Sequence, residues 1–216
     1  MKKKQLLLIA LFFMVGFFWL GALVYNEQQT EVQSQAALQN QDALIRDHSV
    51  RKGSPDAKVT IVEFLDPACG TCKQFHPLVN ELLEMYDGKV NLVVRYAPLH
   101  RGSDQMVAIL EVVRKQNQFW NVLDIMFEYQ EFWAINHQAR PDLFWGYLKG
   151  YGFDVDQIKT DMQSSEVKSV VQQDIADGLT LGATKTPTFF VNGKPLASFG
   201  YQQLKNLIES EISANY

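Results

Sequence analysis

Apolar positions along the chain change their period several times, and each change marks a different kind of element. Residues 6–25 are apolar throughout, broken only by Gly16 and Gly21. A helix of about twenty such residues at about 1.5 Å per residue spans the roughly 30 Å hydrocarbon core of a bilayer. Residues 26–51 are polar and rich in glutamine, with scattered Ala and Leu, as suits a partly helical spacer. After the turn signal Gly53-Ser54-Pro55-Asp56, the run Val59-Thr60-Ile61-Val62-Glu63-Phe64-Leu65 predicts a buried strand ending at Asp66-Pro67. Phe75, Leu78, Val79, Leu82, Leu83 and Tyr86 then repeat with helical spacing up to Asp87-Gly88, with Pro77 expected to kink the helix. Residues 90–96 read as a second buried strand, so strand, helix and strand follow in the order of a parallel crossover unit.

From about residue 102 to 181 the pattern is helical, with helices expected over 106–114, 119–129, 141–148, 155–162 and 167–181. We read this stretch as an all-helical insertion whose core is the aromatic set Phe119, Trp120, Phe127, Phe132, Trp133, Phe144, Trp145 and Tyr147. Strand character returns in Thr188-Phe189-Phe190-Val191, the Asn192-Gly193 hairpin signal and Lys194-Pro195-Leu196, and a helix over about 201–213 closes the chain. The predicted organisation is a cytoplasmic tip and membrane segment over 1–25, a spacer over 26–52, and one α/β domain over 53–216.

Composition narrows the function. With 216 residues, 47% apolar and 20% charged, the chain can bury a full core. Its net charge of −4, with no basic cluster beyond the N-terminus, gives no footprint for nucleic acid. Lys2, Lys3 and Lys4 precede the apolar run and no lysine follows it closely, so the N-terminus is expected in the cytoplasm and the domain on the far side of a bacterial cytoplasmic membrane. A cleaved export signal is the alternative, but the apolar run is long for one and no clear Ala-x-Ala site follows. Either way the domain is exported to a compartment that permits disulfides.

The two cysteines are Cys69 and Cys72, in Cys69-Gly70-Thr71-Cys72. Three positions apart on the first turn of a helix, they fall within the separation a disulfide tolerates. Cys69 would lie at the helix N-terminus, where unpaired N–H groups favour a thiolate, and is the expected nucleophile; Cys72 is the expected resolving thiol. Sulfur carries the electrons, so no cofactor is required. Glu63 interrupts an apolar strand on the face shared by Val59, Ile61 and Leu65, where a buried carboxylate could exchange a proton with Cys72. Pro187 precedes a strand without an N–H for its ladder, leaving the backbone of Thr186 to accept a substrate chain in strand-like pairing. Gly70 and Thr71 are the other residues expected to meet a substrate. His76 follows Cys72 by four residues, so a copper-binding chaperone is a rival reading, whereas His48, His100 and His137 have no ligand-like spacing. No metal site is expected.

Gly53-Ser54-Pro55-Asp56-Ala57-Lys58-Val59-Thr60-Ile61-Val62-Glu63-Phe64, the Cys-x-x-Cys-Lys-x-Phe-His-Pro run, Phe119-Trp120 and the stretch from Thr186 to Lys194 together resemble bacterial disulfide-bond proteins of the DsbA type. The resemblance covers essentially everything after Arg51. It implies a thioredoxin fold with a helical insertion, a cis bond before Pro187, and Glu63 as the buried acid. It further implies reduced or misoxidised exported proteins as clients, a membrane redox partner (a quinone-linked oxidase or a transmembrane electron donor), and a monomer. Many proteins of that type carry Pro-His between the cysteines; here Gly70-Thr71 offers no imidazole to the thiolate. Dithiol oxidase is the first expectation, with a reductase or isomerase as the same chemistry reversed.

Overall fold

The structure is a computed structural model that describes residues 3–136 and 138–216. The expectations that rest on Lys2 and His137 lie outside the described residues.

Helix α1 (Lys3–Gln39) is continuous from the apolar run into the glutamine-rich segment, and α2 (Gln41–Leu44) follows directly. Strands β1 (Val50–Gly53), β2 (Val59–Leu65) and β3 (Val90–Tyr96) are joined through α3 (Gly70–Met85). Next come α4 (Ser103–Arg114), α5 (Phe119–Glu128), α6 (Gln130–Trp133), β4 (Ala134–Ile135), β5 (Gln138–Ala139), α7 (Pro141–Gly150), α8 (Val155–Asp161) and α9 (Ser165–Thr180). Strands β6 (Thr188–Val191) and β7 (Lys194–Pro195) and helix α10 (Tyr201–Asn215) complete the chain. The main sheet has the order β1-β3-β2-β6-β7; β2 and β3 are parallel, and the other pairs are antiparallel. This is the thioredoxin arrangement that the resemblance implies.

The central strands explain their own sequence. All of β3 and every residue of β2 except Thr60 are buried, because helices cover both faces, and so both strands are nearly continuous apolar runs rather than alternating ones. Val59, Ile61 and Leu65 pack with Cys72, Phe75, Val79 and Leu82 of α3 in the main core, whereas Val62 and Phe64 pack on the other face with Leu181 and Phe190. In the helical block Phe119, Phe127, Trp133 and Phe144 are core residues, but Phe132, expected among them, is 52% exposed. Helix α3 runs through Pro77, whose ring nitrogen has no hydrogen to donate.

Two expectations about organisation require correction. Residues 26–52 are not a plain spacer: Ala37, Ala43 and Leu44 are buried in the second core, and β1 adds an outer strand with Val50 opposite Val94. Val32 and Leu38 of the same segment stay exposed, so its contact with the body is made by one face only. Gly53 ends β1 at φ +98, where a Cβ would lie 2.9 Å from the Val90 carbonyl oxygen, so the turn needs glycine. The insertion is also not all helical, because β4 and β5 form a short antiparallel ladder, tied to the body by a bridge between Arg101 and Gln138.

The N-terminal segment is latched to α9 by charge. Arg95, fully buried on β3, donates to Asp174 at 2.6 Å, to Asp177 at 2.7 Å and to the Ala43 carbonyl at 2.5 Å. Arg46 reaches Asp177 at 2.7 Å, and His48 lies 2.6 Å from Asp174. Burial alone would raise the Asp174 carboxyl, but hydrogen bonds from His48 and Arg95 hold it below the usual range. Replacing Arg95 with leucine removes the buried cation shared by the two carboxylates, leaving Arg46 and His48 at their outer side, and should cost about 3–5 kcal/mol in denaturant unfolding at neutral pH. A loss under about 1 kcal/mol would show that the latch contributes little.

Candidate active site

The loop from the end of β2 into α3 is fixed on both sides before either cysteine is reached. Asp66 is fully buried; its Oδ1 accepts from the Ala68 N–H at 2.8 Å and from the Ser103 hydroxyl, and its Oδ2 accepts from the His100 N–H at 2.9 Å. The His100 ring nitrogen Nδ1 lies 2.7 Å from the same Oδ2. From the opposite side, the buried Gln130 amide of α6 donates to the carbonyls of Pro67 at 2.7 Å and Cys69 at 3.1 Å. Sequence reasoning missed both residues as parts of the site. Gln130 gives no local signal, since its partners are more than sixty positions away in the chain. Asp66 gave a weak one: an Asp-Pro pair directly before the cysteine motif, read only as a strand end.

Cys69 is the N-cap of α3, with extended backbone, and Cys72 lies within the first turn. Both are free thiols, 6% and 0% exposed respectively. The Cys69 Sγ lies 3.2 Å from the Thr186 carbonyl oxygen, and the Thr186–Pro187 bond is cis. Gly70 is exposed, Thr71 and Thr186 are half-buried, and Pro187 is buried. The two sequence-distant parts expected at the site, the cysteine turn and the loop before β6, are therefore in contact.

The two thiols ionise very differently. Cys69 is pulled from the ordinary range to about 5, first by its hydrogen bond with the Cys72 side chain, then by Thr186 and the backbone N–H groups of Cys72 and Thr71, with burial opposing. Cys72 is pushed well above 9, chiefly by burial, with its bond to Cys69 and the charge of Glu63 adding to it. Titrating the reduced protein by ultraviolet thiolate absorbance should therefore show one transition near pH 5. A midpoint near the free-cysteine value of about 8.5 would remove the asymmetry.

Glu63 is 1% exposed on β2, opposite Val94 and Phe189, and its Oε1 has no hydrogen-bond partner among the described residues. Burial, with the nearby charge of Cys69, raises its carboxyl to about 8. It is thus a protonated acid near neutral pH, electrostatically coupled to both thiols. His76 is engaged elsewhere: its Nε2 lies 2.7 Å from Asp124, and its ring packs on Phe127. Among the described residues no group of three potential ligands gathers around a metal position.

The sequence model of the thioredoxin family matches residues 45–210. A disulfide bond formation protein D designated probable, from Bacillus anthracis, is 29% identical over 204 residues, covering 89% of each chain. The Na(+)/H(+) antiporter NhaA of Herminiimonas arsenicoxydans is 31% identical over 145 residues, 67% of this chain; that match spans 22% of the antiporter's own length. Among solved structures, oxidised BdbD of Bacillus subtilis superposes with a TM-score of 0.68 at 26% identity, over 77% of this chain and 94% of BdbD. On the fold, the cysteine pair and these likenesses, the chain belongs to the thioredoxin family, among its DsbA-type members.

Proposed function

We propose that this chain is a membrane-anchored thiol:disulfide oxidoreductase that acts as a dithiol oxidase on exported proteins. The observation that carries the reading is the split between Cys69, acidic and beside Thr186, and Cys72, buried and hard to ionise. Stabilising the Cys69 thiolate favours the reduced enzyme, which makes its disulfide an oxidant.

In the oxidised enzyme, a client thiolate lying in strand-like pairing along Thr186, with Gly70 and Thr71 at its flank, attacks the Cys69 sulfur. The Cys69–Cys72 bond breaks as the client–Cys69 bond forms. Cys72 departs with the electron pair and takes the proton of Glu63, the stronger acid of the two; on reoxidation Cys72 gives the proton back to the carboxylate as its sulfur re-forms the disulfide. A second client thiolate then attacks the client sulfur of the mixed disulfide and expels Cys69 as its stabilised thiolate. The client has lost two electrons and the enzyme has gained them, and a membrane redox partner returns the pair to the disulfide.

Helix α1 is long and apolar enough to cross a membrane, and its described side chains over residues 9–25 are exposed on the protein, free to face lipid. We read the lysines before it as keeping the N-terminus in the cytoplasm, with the catalytic domain outside. The full chain in detergent, equilibrated against glutathione, gives the reduction potential that tests the direction. A value near about −120 mV supports the oxidase, and one near about −270 mV makes the protein a reductase.

A further inference from the structure

The way α1 meets the domain fixes which side of the domain faces the membrane. One face of the helix, carrying Tyr25, Asn26, Gln29, Thr30 and Gln33, lines a cleft of about 220 Å³ whose other wall includes Lys185, Pro187 and Phe199. Further along, Ser34, Ala37 and Leu38 lie against the turn at Asn192, Gly193 and Lys194. Helix α1 therefore packs against the edge strand β7 and runs along that side of the sheet from the redox end towards the far end. Gln33 fastens it there by donating to the Gly182 carbonyl at 2.8 Å; Gly182 has φ +68, and a Cβ would lie 3.2 Å from the Gln33 side chain.

Tyr25 ends the apolar run, so it marks the outer limit of the hydrocarbon region. Gln33 is eight residues further on, about 12 Å along the helix, and the cleft beside Pro187 begins at Tyr25 itself. The headgroup layer on each side of a bilayer is about 5–7 Å thick, so the loop carrying Pro187 comes level with it. The same end of the domain exposes large apolar side chains: Phe199 (44%), which packs on Phe75 of α3, Leu99 (48%), in the loop after β3, and Phe132 (52%), two residues from Gln130. Lys185 is exposed beside them, and Lys73 is half-buried.

We propose that α1 is a rigid stem that holds the redox edge against the headgroup surface of the membrane, with Phe199, Leu99, Phe132 and Lys185 facing lipid. Resting on the membrane-anchored reading above, this assigns a substrate class: thiols and disulfides on membrane-proximal segments of other proteins, rather than those of proteins free in solution.

The test uses the full chain in nanodiscs of phosphatidylcholine and phosphatidylglycerol, with Cys69→Ser and Cys72→Ser as background. A fluorophore is attached through Lys185→Cys, at the redox edge, or through Asp87→Cys, at the opposite end, and a headgroup-linked spin label serves as quencher. The Lys185 position is expected to be quenched several-fold more than the Asp87 position. Inserting seven alanine-rich helical residues after Tyr25, a lift of about 10 Å, should bring it down to the Asp87 level. Equal quenching at the two positions, or quenching that survives the insertion, overturns the proposal. A chain that separates from the discs overturns the anchor and the orientation together, while glutathione exchange by the unsubstituted protein reports the redox reading independently.

Discussion

Replacing Cys72 with serine should halt the cycle at a covalent intermediate, visible as a client-linked species that dissolves on reduction. Cys69 alone keeps an accessible edge beside Thr186, so it still exchanges with a client disulfide, but no thiol remains one turn away to release the product. The converse change, Cys69→Ser, leaves only Cys72, which has no exposed surface and a thiol pushed above 9. At pH 7 such a thiol is almost wholly protonated, whereas Cys69 at about 5 is nearly all thiolate, so ionisation alone lowers exchange by on the order of 10²-fold or more. Replacing Cys72 with alanine instead removes the largest influence lowering Cys69, so that variant should react with a pH midpoint higher than that of the parent. Non-reducing electrophoresis with mass spectrometry separates the variants. Mixed disulfides accumulating on Cys69→Ser, and none on Cys72→Ser, would reverse the assigned roles.

Replacing Glu63 with leucine should stabilise the reduced protein while slowing its chemistry. The carboxyl moves from about 4.5 in the unfolded chain to about 8 in the fold. Between these values the folded chain holds a proton on Glu63 that the unfolded chain has released, so the contribution of Glu63 to stability falls as pH rises through that window. The full shift corresponds to about 4–5 kcal/mol at alkaline pH, an upper figure because burial also admits some relaxation. Leucine removes both the titration and the unpartnered Oε1, while the opposing titration of Cys69 is common to both proteins, so the variant's unfolding free energy minus the parent's should rise with pH from about 5 to about 8. Release of Cys72 during client oxidation loses its proton source and should slow by about 10²-fold or more. Parallel stability profiles for the two proteins would show that Glu63 is not the group titrating.

Both predictions draw on residues that local pattern exposes. A cysteine pair between a buried strand and an amphipathic helix is a short-range signal, and a lone acid in the run from Val59 to Leu65 breaks a pattern that packing enforces. The Thr186–Pro187 loop was legible as a strand entrance, but its contact with Cys69 spans 117 positions and comes from the register of β6 against β2, which no window of sequence contains. Asp66, Gln130 and the Arg95 latch were hidden for the same reason, because a buried polar group acquires its meaning from partners elsewhere in the chain. The segment from Gln41 to Gly53 was misread for a different reason. It contributes only four residues each to α2 and β1, too few for a period to emerge, and its buried residues are isolated among polar ones.

That misreading bears on how the protein can be handled. Strand β1 covers the outer edge of β3, pairing Val50, Arg51, Lys52 and Gly53 with Val94, Val93, Leu92 and Asn91. A soluble fragment begun at Gly53, where the turn signal invites a cut, would bare a seven-residue strand with no charge before Arg95 and leave Arg95 without the Ala43 carbonyl. An open apolar edge of that kind is a template for pairing between molecules, so such a fragment is expected to aggregate, whereas one begun at Gln41 keeps its edge closed.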